Sequence, residues 1–194
     1  ITLVKELEAE DRVATPDEMK ILAQYSGWGA VTEDVFKRQF TDAIYWEQHR
    51  GWGWSNMKDE DRKAYLQWKE RIGSRLHPEL GGILTKEEWN DARASGLNAH
   101  FTSREVIEHG LWGLAERLGF KGGTVLEPAA GVGHILGLIP ENLLGKTRLK
   151  GIELDPITGS ILAKLYPAAE IQVTGFEEVR GMADNTIDLV ISNF

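Results

Sequence analysis

Short apolar segments alternate with helical segments through the second half of this 194-residue chain. The predicted strands lie at about 124–127, 150–153, 171–174 and 187–192. Helices are predicted before and between them, at 103–118, 136–144 and 156–166. Strands that alternate with helices form a parallel sheet with right-handed crossovers. The pattern therefore predicts an α/β fold with a Rossmann-like parallel sheet. In such a sheet, ligands bind at the carboxyl ends of the strands.

The first half of the chain favours short helices instead. Thr15 precedes Pro16 and an acidic first turn, and Thr85 and Glu88 have the spacing of a capping box. We therefore predict two domains, a mainly α-helical region over 1–96 and the α/β domain over 97–194. Six of the seven tryptophans fall in the first region, at Trp28, Trp46, Trp52, Trp54, Trp68 and Trp89. Most are interpreted as packing residues, whereas Trp52 and Trp54 are equally compatible with base stacking.

Composition excludes several classes of protein. The chain has no cysteine, which rules out disulfides, thiolate zinc sites and thiol nucleophiles, and no metal site is predicted. No apolar stretch is long enough to span a membrane, so we expect a cytoplasmic protein without a membrane partner. The net charge is −8, so the chain is not a polycation that would bind phosphate by itself.

The most informative turn follows the first predicted strand, in Leu126-Glu-Pro-Ala-Ala-Gly-Val-Gly133. Gly131 and Gly133 would let bare backbone approach a ligand, and Glu153 ends the next strand, where an acid can accept ribose hydroxyls. The third glycine, Gly137, lies one residue too far along for a dinucleotide fingerprint. A ligand with ribose but no pyrophosphate, such as S-adenosylmethionine, fits better, with Glu127 near its amino group. The alternative is that the strand merely ends there and the glycines merely turn the chain.

From residue 99 to the end, the chain resembles the amino-group DNA methyltransferases, particularly the adenine-modifying class. Residues 99–106 resemble the family's Phe/Tyr-Thr-Pro segment, with Ser103 where proline is usual. Residues 126–133 resemble its Asp-Pro-Ala-Cys-Gly-x-Gly loop, and 151–155 resemble its ribose-binding strand. Residues 188–194 resemble the start of its catalytic Asn/Asp-Pro-Pro-Tyr/Phe segment.

The resemblance implies S-adenosylmethionine as cofactor and a flipped adenine in DNA as substrate. It assigns catalysis to Asn193 and to the backbone carbonyl of Phe194, which stands where the family usually has proline. The implied cofactor-binding residues are Thr102, Glu127, Pro128, Ala129, Gly131, Gly133, Glu153, Leu154, Phe176 and Glu177. Thr102 has an equally good alternative as a helix cap. Glu177 would replace an acid that many relatives carry at the position of Gly175.

Residues 25–36, 97–102 and 175–178 add a narrower resemblance, to large phage- and plasmid-borne methyltransferases that commonly carry a helicase-like region. It implies a bacterial or phage-encoded protein, a polypeptide that continues or is completed by another chain, and DNA contacts largely outside these residues. A piece of this kind is expected to bind cofactor weakly and to methylate nothing by itself. Two other readings stay open: a methyltransferase acting on protein glutamine or RNA, and a non-catalytic nucleotide-binding or interaction module.

Overall fold

A computed structural model describes residues 1–29, 58–68, 83–96 and 102–193. The interpretations of Phe194, Trp52 and Trp54 lie outside these ranges. The chain divides into two compact units. One combines Ile1–Gly27 with Asn98–Phe194, and the other is Trp28–Leu97.

The first unit contains a four-stranded parallel sheet. Its strands are β1 (Gly123–Glu127), β2 (Thr147–Glu153), β3 (Glu170–Val173) and β4 (Leu189–Val190). They are arranged in the order β3-β2-β1-β4. This is the order of the first four strands of a Rossmann-like sheet, in which the chain reverses direction across the sheet after β3. The predicted α/β, Rossmann-like fold is confirmed.

The helices of the described ranges are short. They are α1 (Thr2–Ala9), α2 (Pro16–Leu22), α3 (Asp59–Trp68), α4 (Lys86–Gly96), a π-helix (Val106–Trp112), α5 (Gly113–Arg117), α6 (His134–Gly137), α7 (Pro156–Leu165) and a 3-10 helix (Phe176–Glu178). The predicted capping box between Thr85 and Glu88 is present, and Thr15 exchanges the same pair of hydrogen bonds with Glu18. In the part of the chain that the structure describes, no helix is both long and apolar enough to cross a bilayer.

The helix predicted over 103–118 is present, but its register is not that of a regular α-helix. Its first half is a π-helix, whose hydrogen bonds join residues five apart. Ile107 and Trp112 are five residues apart, and both are buried, with 1% and 0% of their surface exposed. A regular α-helical period counted from Ile107 predicts Leu114, Ala115 and Leu118 on the same apolar face. Ala115 is buried, but Leu114 and Leu118 are 49% and 80% exposed. The wide turn rotates the residues that follow it, so the face predicted from a regular α-helical period is buried only in part.

The helix predicted over 136–144 is also wrong in extent. Helix α6 ends at Gly137, and turns follow it through Gly145. Pro140 explains the early end, since proline lacks a backbone donor and disfavours helical geometry in the residue before it. The last strand is shorter than the predicted 187–192, whereas β2 begins three residues earlier than the predicted position 150.

One face of the sheet carries most of the core. Val125 and Leu149 are register partners, and Ile171 pairs with Gly151, two residues further along β2. Because side chains alternate along a strand, Val125, Leu149 and Ile171 point to the same face. The π-helix and α6 pack on Val125 through Trp112 and Ile135. Helix α7 packs through Leu162 beside Leu149 and Ile171. The π-helix before β1 and helices α6 and α7 after it therefore cover the same side of the sheet.

Helices α1 and α2 pack on α7. Lys164 Nζ donates to the carbonyl oxygens of Arg12, at 2.7 Å, and Leu7, at 3.4 Å, and the Ser160 hydroxyl donates to Glu8. The domain prediction grouped residues 1–96 in one helical region. The structure corrects this grouping, because Ile1–Gly27 belongs to the same compact unit as the sheet. The contacts responsible join residues more than 150 positions apart, which no local pattern reveals.

Candidate functional site

The turn after β1 uses its two glycines for different reasons. Gly131 and Gly133 both have left-handed backbone conformations, with φ of +56° and +84°. A Cβ on Gly133 would lie 2.4 Å from the ring of Tyr166 and 2.7 Å from Leu162, whereas a Cβ on Gly131 would meet nothing within 4 Å. Gly133 therefore allows α6 to pack against α7. Gly131 leaves open space at the carboxyl edge of the sheet.

Glu153 lies against this turn. Its Oε2 accepts a hydrogen bond from the Gly131 backbone N–H at 2.8 Å, and its Oε1 accepts one from Asp155 N–H at 2.9 Å. Partial burial raises the pKa of the Glu153 carboxyl, and the two backbone donors oppose that rise. The carboxylate is thus fixed in position at the tip of β2, with lone pairs left for further donors. The structure brings together Glu153 and Gly131, as the sequence analysis expected.

Glu127 ends β1 and is almost completely buried, with 3% of its surface exposed. The Leu136 backbone N–H donates to its carboxyl group, but Oε2 has no hydrogen-bond partner among the described residues. Burial raises the pKa of Glu127 well above its usual range, and the negative charge of Glu153 adds to the rise. A buried carboxyl group short of donors is a suitable acceptor for a ligand's ammonium group.

Thr102 and Asn193 meet although 91 positions separate them. The Asn193 side-chain amide donates to Thr102 Oγ1 at 2.9 Å. Ser103, rather than Thr102, accepts the hydrogen bond from the Val106 N–H at the start of the helix, at 3.4 Å. The Thr102 hydroxyl therefore bonds to Asn193, which follows β4, and does not cap the helix that begins after Thr102.

Exposed apolar side chains flank Glu153 at the carboxyl ends of β2 and β3. Leu154, Val173 and Phe176 are 56%, 45% and 60% exposed. The Glu177 carboxylate folds back over Gly175, where an added Cβ would lie 2.7 Å from Oε1. This edge combines apolar surface with an acceptor, as an adenine ring and its amino group require. Val173 was missed by the sequence analysis; it is the register partner of Glu153, and its side chain lies against Gly159 of α7.

The turn residues Pro128 and Ala129 lie between Glu127 and Glu153 in sequence. Pro128 is half-buried and Ala129 is exposed.

Beyond the turn, a cleft of about 410 Å³ lies beside α6 and the start of the π-helix. It is lined by Thr102, Arg104, Ile107, His134, Gly137, Leu138 and Tyr166. Burial raises the pKa of Tyr166, and the nearby Glu127 contributes. The sequence analysis missed Arg104 and Tyr166, which no motif distinguishes from ordinary surface and packing residues.

Burial lowers the pKa of His134, which favours its neutral form. Within the described ranges, no group of three or more histidine, aspartate or glutamate side chains is arranged to hold a metal ion.

No protein-family model matches the chain, and no curated protein matches it. Among solved structures, the chain is similar to a protein from Listeria monocytogenes that is provisionally assigned as a class I S-adenosylmethionine-dependent methyltransferase. The identity is 14% and the TM-score is 0.32. The match covers 99% of this chain and 58% of the other, so the chain spans less than two thirds of that protein's length. We interpret the site from its own geometry.

Proposed function

We propose that this chain is the cofactor-binding portion of an S-adenosylmethionine-dependent DNA adenine-N6 methyltransferase. The observation that carries the proposal is the pair of hydrogen bonds that fix Glu153 between the Gly131 and Asp155 N–H groups. A carboxylate held in this way at the end of β2 is suited to accept the two ribose hydroxyls of a nucleoside.

The remaining groups around Glu153 fit the other parts of the cofactor. Glu127, with its unpaired buried oxygen, would accept the ammonium of the methionine moiety. Thr102 would donate to the carboxylate of that moiety. Leu154 and Phe176 would contact the adenine ring, and Glu177 would accept from its amino group. Because burial raises the pKa of Glu127, binding of a cation there would favour the charged form of its carboxyl group.

Asn193 gives the site its proposed reaction. The side-chain oxygen of Asn193 and the Phe194 carbonyl would accept the two hydrogens of the adenine amino group and favour a pyramidal nitrogen. Bound S-adenosylmethionine supplies an electrophilic methyl group. That methyl group would pass to the amino nitrogen, S-adenosylhomocysteine would leave with the electron pair of the broken C–S bond, and the proton displaced from the nitrogen would pass to water. The chain's contribution is position and electrostatics.

Donation from Asn193 to Thr102 orients the amide before any base arrives. With the nitrogen of the amide turned towards Thr102, its oxygen is directed away from that hydroxyl and is left for the adenine amino group. Thr102 thereby links the cofactor end of the site to the base end.

We further propose that the DNA partner is held mostly by parts of the polypeptide outside these residues. The net charge of −8 is unfavourable for binding a polyanion, and extraction of a base from duplex DNA needs extensive contact with the flanking strands. The narrower resemblance to phage- and plasmid-borne methyltransferases supports the same assignment.

Calorimetry with S-adenosylmethionine tests the cofactor site. Glu153→Ala should weaken binding by about 1–3 kcal/mol, since the ribose hydroxyls lose a charged acceptor. Glu141→Ala is the matched control, because Glu141 is exposed in the turns that follow α6. These measurements use the full-length natural polypeptide that contains these residues, and absence of binding by its wild-type form would refute the proposed cofactor.

Transfer of a tritiated methyl group tests the substrate. Unmodified DNA, RNA and glutamine-containing protein are compared as acceptors with the full-length natural polypeptide that contains these residues. Asn193→Ala should abolish transfer to DNA while leaving cofactor affinity within about twofold, and Asn142→Ala, an exposed asparagine bonded to Glu116, should leave both unchanged. Transfer to RNA or protein alone would assign the chain to the other substrate class. Cofactor binding without transfer to any acceptor would favour the non-catalytic module.

A further inference from the structure

The cleft beside α6 is lined by three hydrogen-bond donors that the protein does not use fully. Its volume is about 410 Å³, and Thr102, Arg104 and Tyr166 are among its lining residues. Thr102 and Arg104 precede the π-helix, whereas Tyr166 follows the last residue of α7. Two distant parts of the chain therefore bring donors to one cavity.

The guanidinium of Arg104 is held on one side by Glu108. Arg104 Nε donates to Glu108 Oε1 at 2.9 Å, and Nη2 lies 2.8 Å from the same oxygen. The hydrogen bond to Glu108 raises the pKa of Arg104, so the guanidinium is charged at every physiological pH. Nη1, on the other side of the planar group, bonds to no acceptor among the described residues. Arg104 therefore has donors left for a ligand.

The Tyr166 hydroxyl is the second donor. A Cβ at Gly137 would clash with this oxygen, so the hydroxyl lies directly against the Gly137 backbone. In the part of the chain that the structure describes, the Tyr166 hydroxyl makes no hydrogen bond. Burial raises the pKa of Tyr166, and the charge of Glu127 adds to the rise. The phenol is therefore protonated at neutral pH and able to donate.

The Thr102 hydroxyl is the third donor. Its Oγ1 accepts a hydrogen bond from the Asn193 side-chain amide at 2.9 Å, which leaves the proton of the hydroxyl for another acceptor. Thr102 therefore belongs both to the cleft and to the base end of the proposed site.

The remaining lining residues favour a small anion attached to a short aliphatic chain. Arg104 is the charged group among the described lining residues, and Glu108 does not line the cleft. His134 does line it, but burial lowers the pKa of His134 and favours its neutral form. Ile107 and Leu138 supply apolar walls. A positive charge with neutral donors is suited to a carboxylate, and the apolar walls are suited to methylene groups.

We propose that this cleft binds the carboxylate of the cofactor's methionine moiety, with Arg104 as its cationic partner and Thr102 and Tyr166 as neutral donors. This inference rests on the proposed function, since it takes S-adenosylmethionine as the cofactor. It adds Arg104 and Tyr166 to the cofactor-binding residues. The ammonium on the same carbon atom would be left for Glu127, so the site would select a nucleoside that carries an amino acid over one that does not.

A phosphate of the DNA backbone is the other anion that such donors could bind. Tight binding of a nucleic-acid backbone uses several cationic side chains, each neutralising one phosphate. A single arginine is present among the described residues that line the cleft. One carboxylate in a concave site matches this arrangement better than a polyanion does.

The experiment removes the carboxylate from the ligand and the guanidinium from the protein. Calorimetry with the full-length natural polypeptide that contains these residues measures the affinity for S-adenosylhomocysteine and for its decarboxylated analogue, which keeps the amino group. Arg104→Gln should weaken binding of S-adenosylhomocysteine by about ten- to thirtyfold, and binding of the analogue by less than about twofold. Tyr166→Phe should show the same selectivity with a smaller loss, about three- to tenfold.

Arg117→Gln is the matched control. Arg117 is exposed on α5 and does not line the cleft, so the variant removes the same charge and should change neither affinity. Tyr166→Phe keeps the ring that lies against Gly133 and removes only the hydroxyl. The result therefore does not depend on the folding of one variant.

The outcomes separate the two proposals. If the wild-type protein does not bind S-adenosylhomocysteine, the proposed function fails and this inference fails with it. If the wild-type protein binds and Arg104→Gln has the same affinity, only the carboxylate assignment is refuted. Equal losses for the two ligands in Arg104→Gln would refute it in favour of a structural role. Weaker DNA binding with unchanged cofactor affinity in Arg104→Gln would refute it in favour of a backbone phosphate.

Discussion

At the scale of single residues, the site depends on two carboxyl groups in different surroundings. Glu153 is supplied with backbone donors on both oxygens, whereas Glu127 is buried with one oxygen unpaired. Each has a raised pKa because burial disfavours the charged form, and the effect is larger for Glu127. The native protein therefore carries a destabilising group at the position where a cationic ligand would be bound.

Because the charged form of Glu127 is unfavourable when buried, we predict that Glu127→Gln stabilises the ligand-free protein. A carboxyl whose pKa is raised in the folded state binds its proton more tightly there than in the unfolded chain. Stability is therefore lost as pH rises from the usual glutamate range through the raised pKa. The amide avoids this loss, so thermal unfolding at pH 7 should show a gain of about 1–3 kcal/mol that disappears near pH 4.

The same substitution should weaken S-adenosylmethionine binding, since an amide attracts an ammonium less than a carboxylate does. Glu141→Gln, at an exposed glutamate in the turns after α6, should change neither stability nor affinity. A loss of stability in Glu127→Gln at pH 7 would show that the buried group is ionised and compensated in the folded protein.

The residue types of the site could be predicted from the sequence, and part of its geometry could not. Glu153 and Gly131 were expected together because both follow strands that end at one edge, and parallel pairing places them there. Thr102 was expected either to cap a helix or to bind ligand, and its contact with Asn193 depends on packing across 91 residues. Tyr166 reaches the site through the same kind of long-range packing.

At the scale of elements, the glycine turn joins β1 to α6 and sets how closely α6 approaches α7. Gly133 lies under the ring of Tyr166, and Gly131 faces open space. Both have positive φ, so the two positions differ in crowding while sharing a conformation that L-residues adopt with strain.

The two glycines form a matched pair of test positions. Gly131→Ala should cost about 1–2 kcal/mol of unfolding free energy from backbone strain alone. Gly133→Ala should cost more, by about 1–3 kcal/mol, since Tyr166 and Leu162 must also move. Chemical denaturation of both variants measures the difference, and equal losses would show that α6 and α7 separate easily.

The elements themselves were predicted with uneven success for physical reasons. Strand cores and the capped helices α2 and α4 follow from local signals, so the sequence identified them well. Helix α6 ends before Pro140, and the length of β4 depends on its two-residue pairing with β1, 64 positions away in sequence. Such contacts fix the ends of elements more than their existence. Helix α1 has no N-cap side chain, and the sequence analysis did not identify it.

At the scale of the whole molecule, residues at the beginning of the chain pack on the helix that precedes β3. Lys164 supplies the charged part of this contact by donating to two carbonyl groups in and after α1. Together with the bond between Ser160 and Glu8, it places α1 and α2 in one compact unit with the sheet.

This arrangement predicts that Lys164→Met weakens the attachment of α1 and α2. The loss of charged hydrogen bonds to carbonyl oxygens should lower the free energy of local opening by about 1–2 kcal/mol. Amide hydrogen exchange should show the loss in residues 2–22, with the β1 and β2 amides less affected. Lys121→Met, at an exposed lysine before β1, is the control. Unchanged exchange in residues 2–22 would contradict a stabilising role for Lys164.

The π-helix also has a consequence for insertions and deletions. Ile107 and Trp112 share a buried face only because one extra residue is accommodated in the wide turn between them. Removal of one residue there would convert the wide turn into regular α-helix and leave the two side chains four positions apart. Residues four positions apart also lie on one face of a regular α-helix. The contact could thus survive a shortened turn, whereas the incoming Thr102 would be pulled along the helix axis and away from its asparagine.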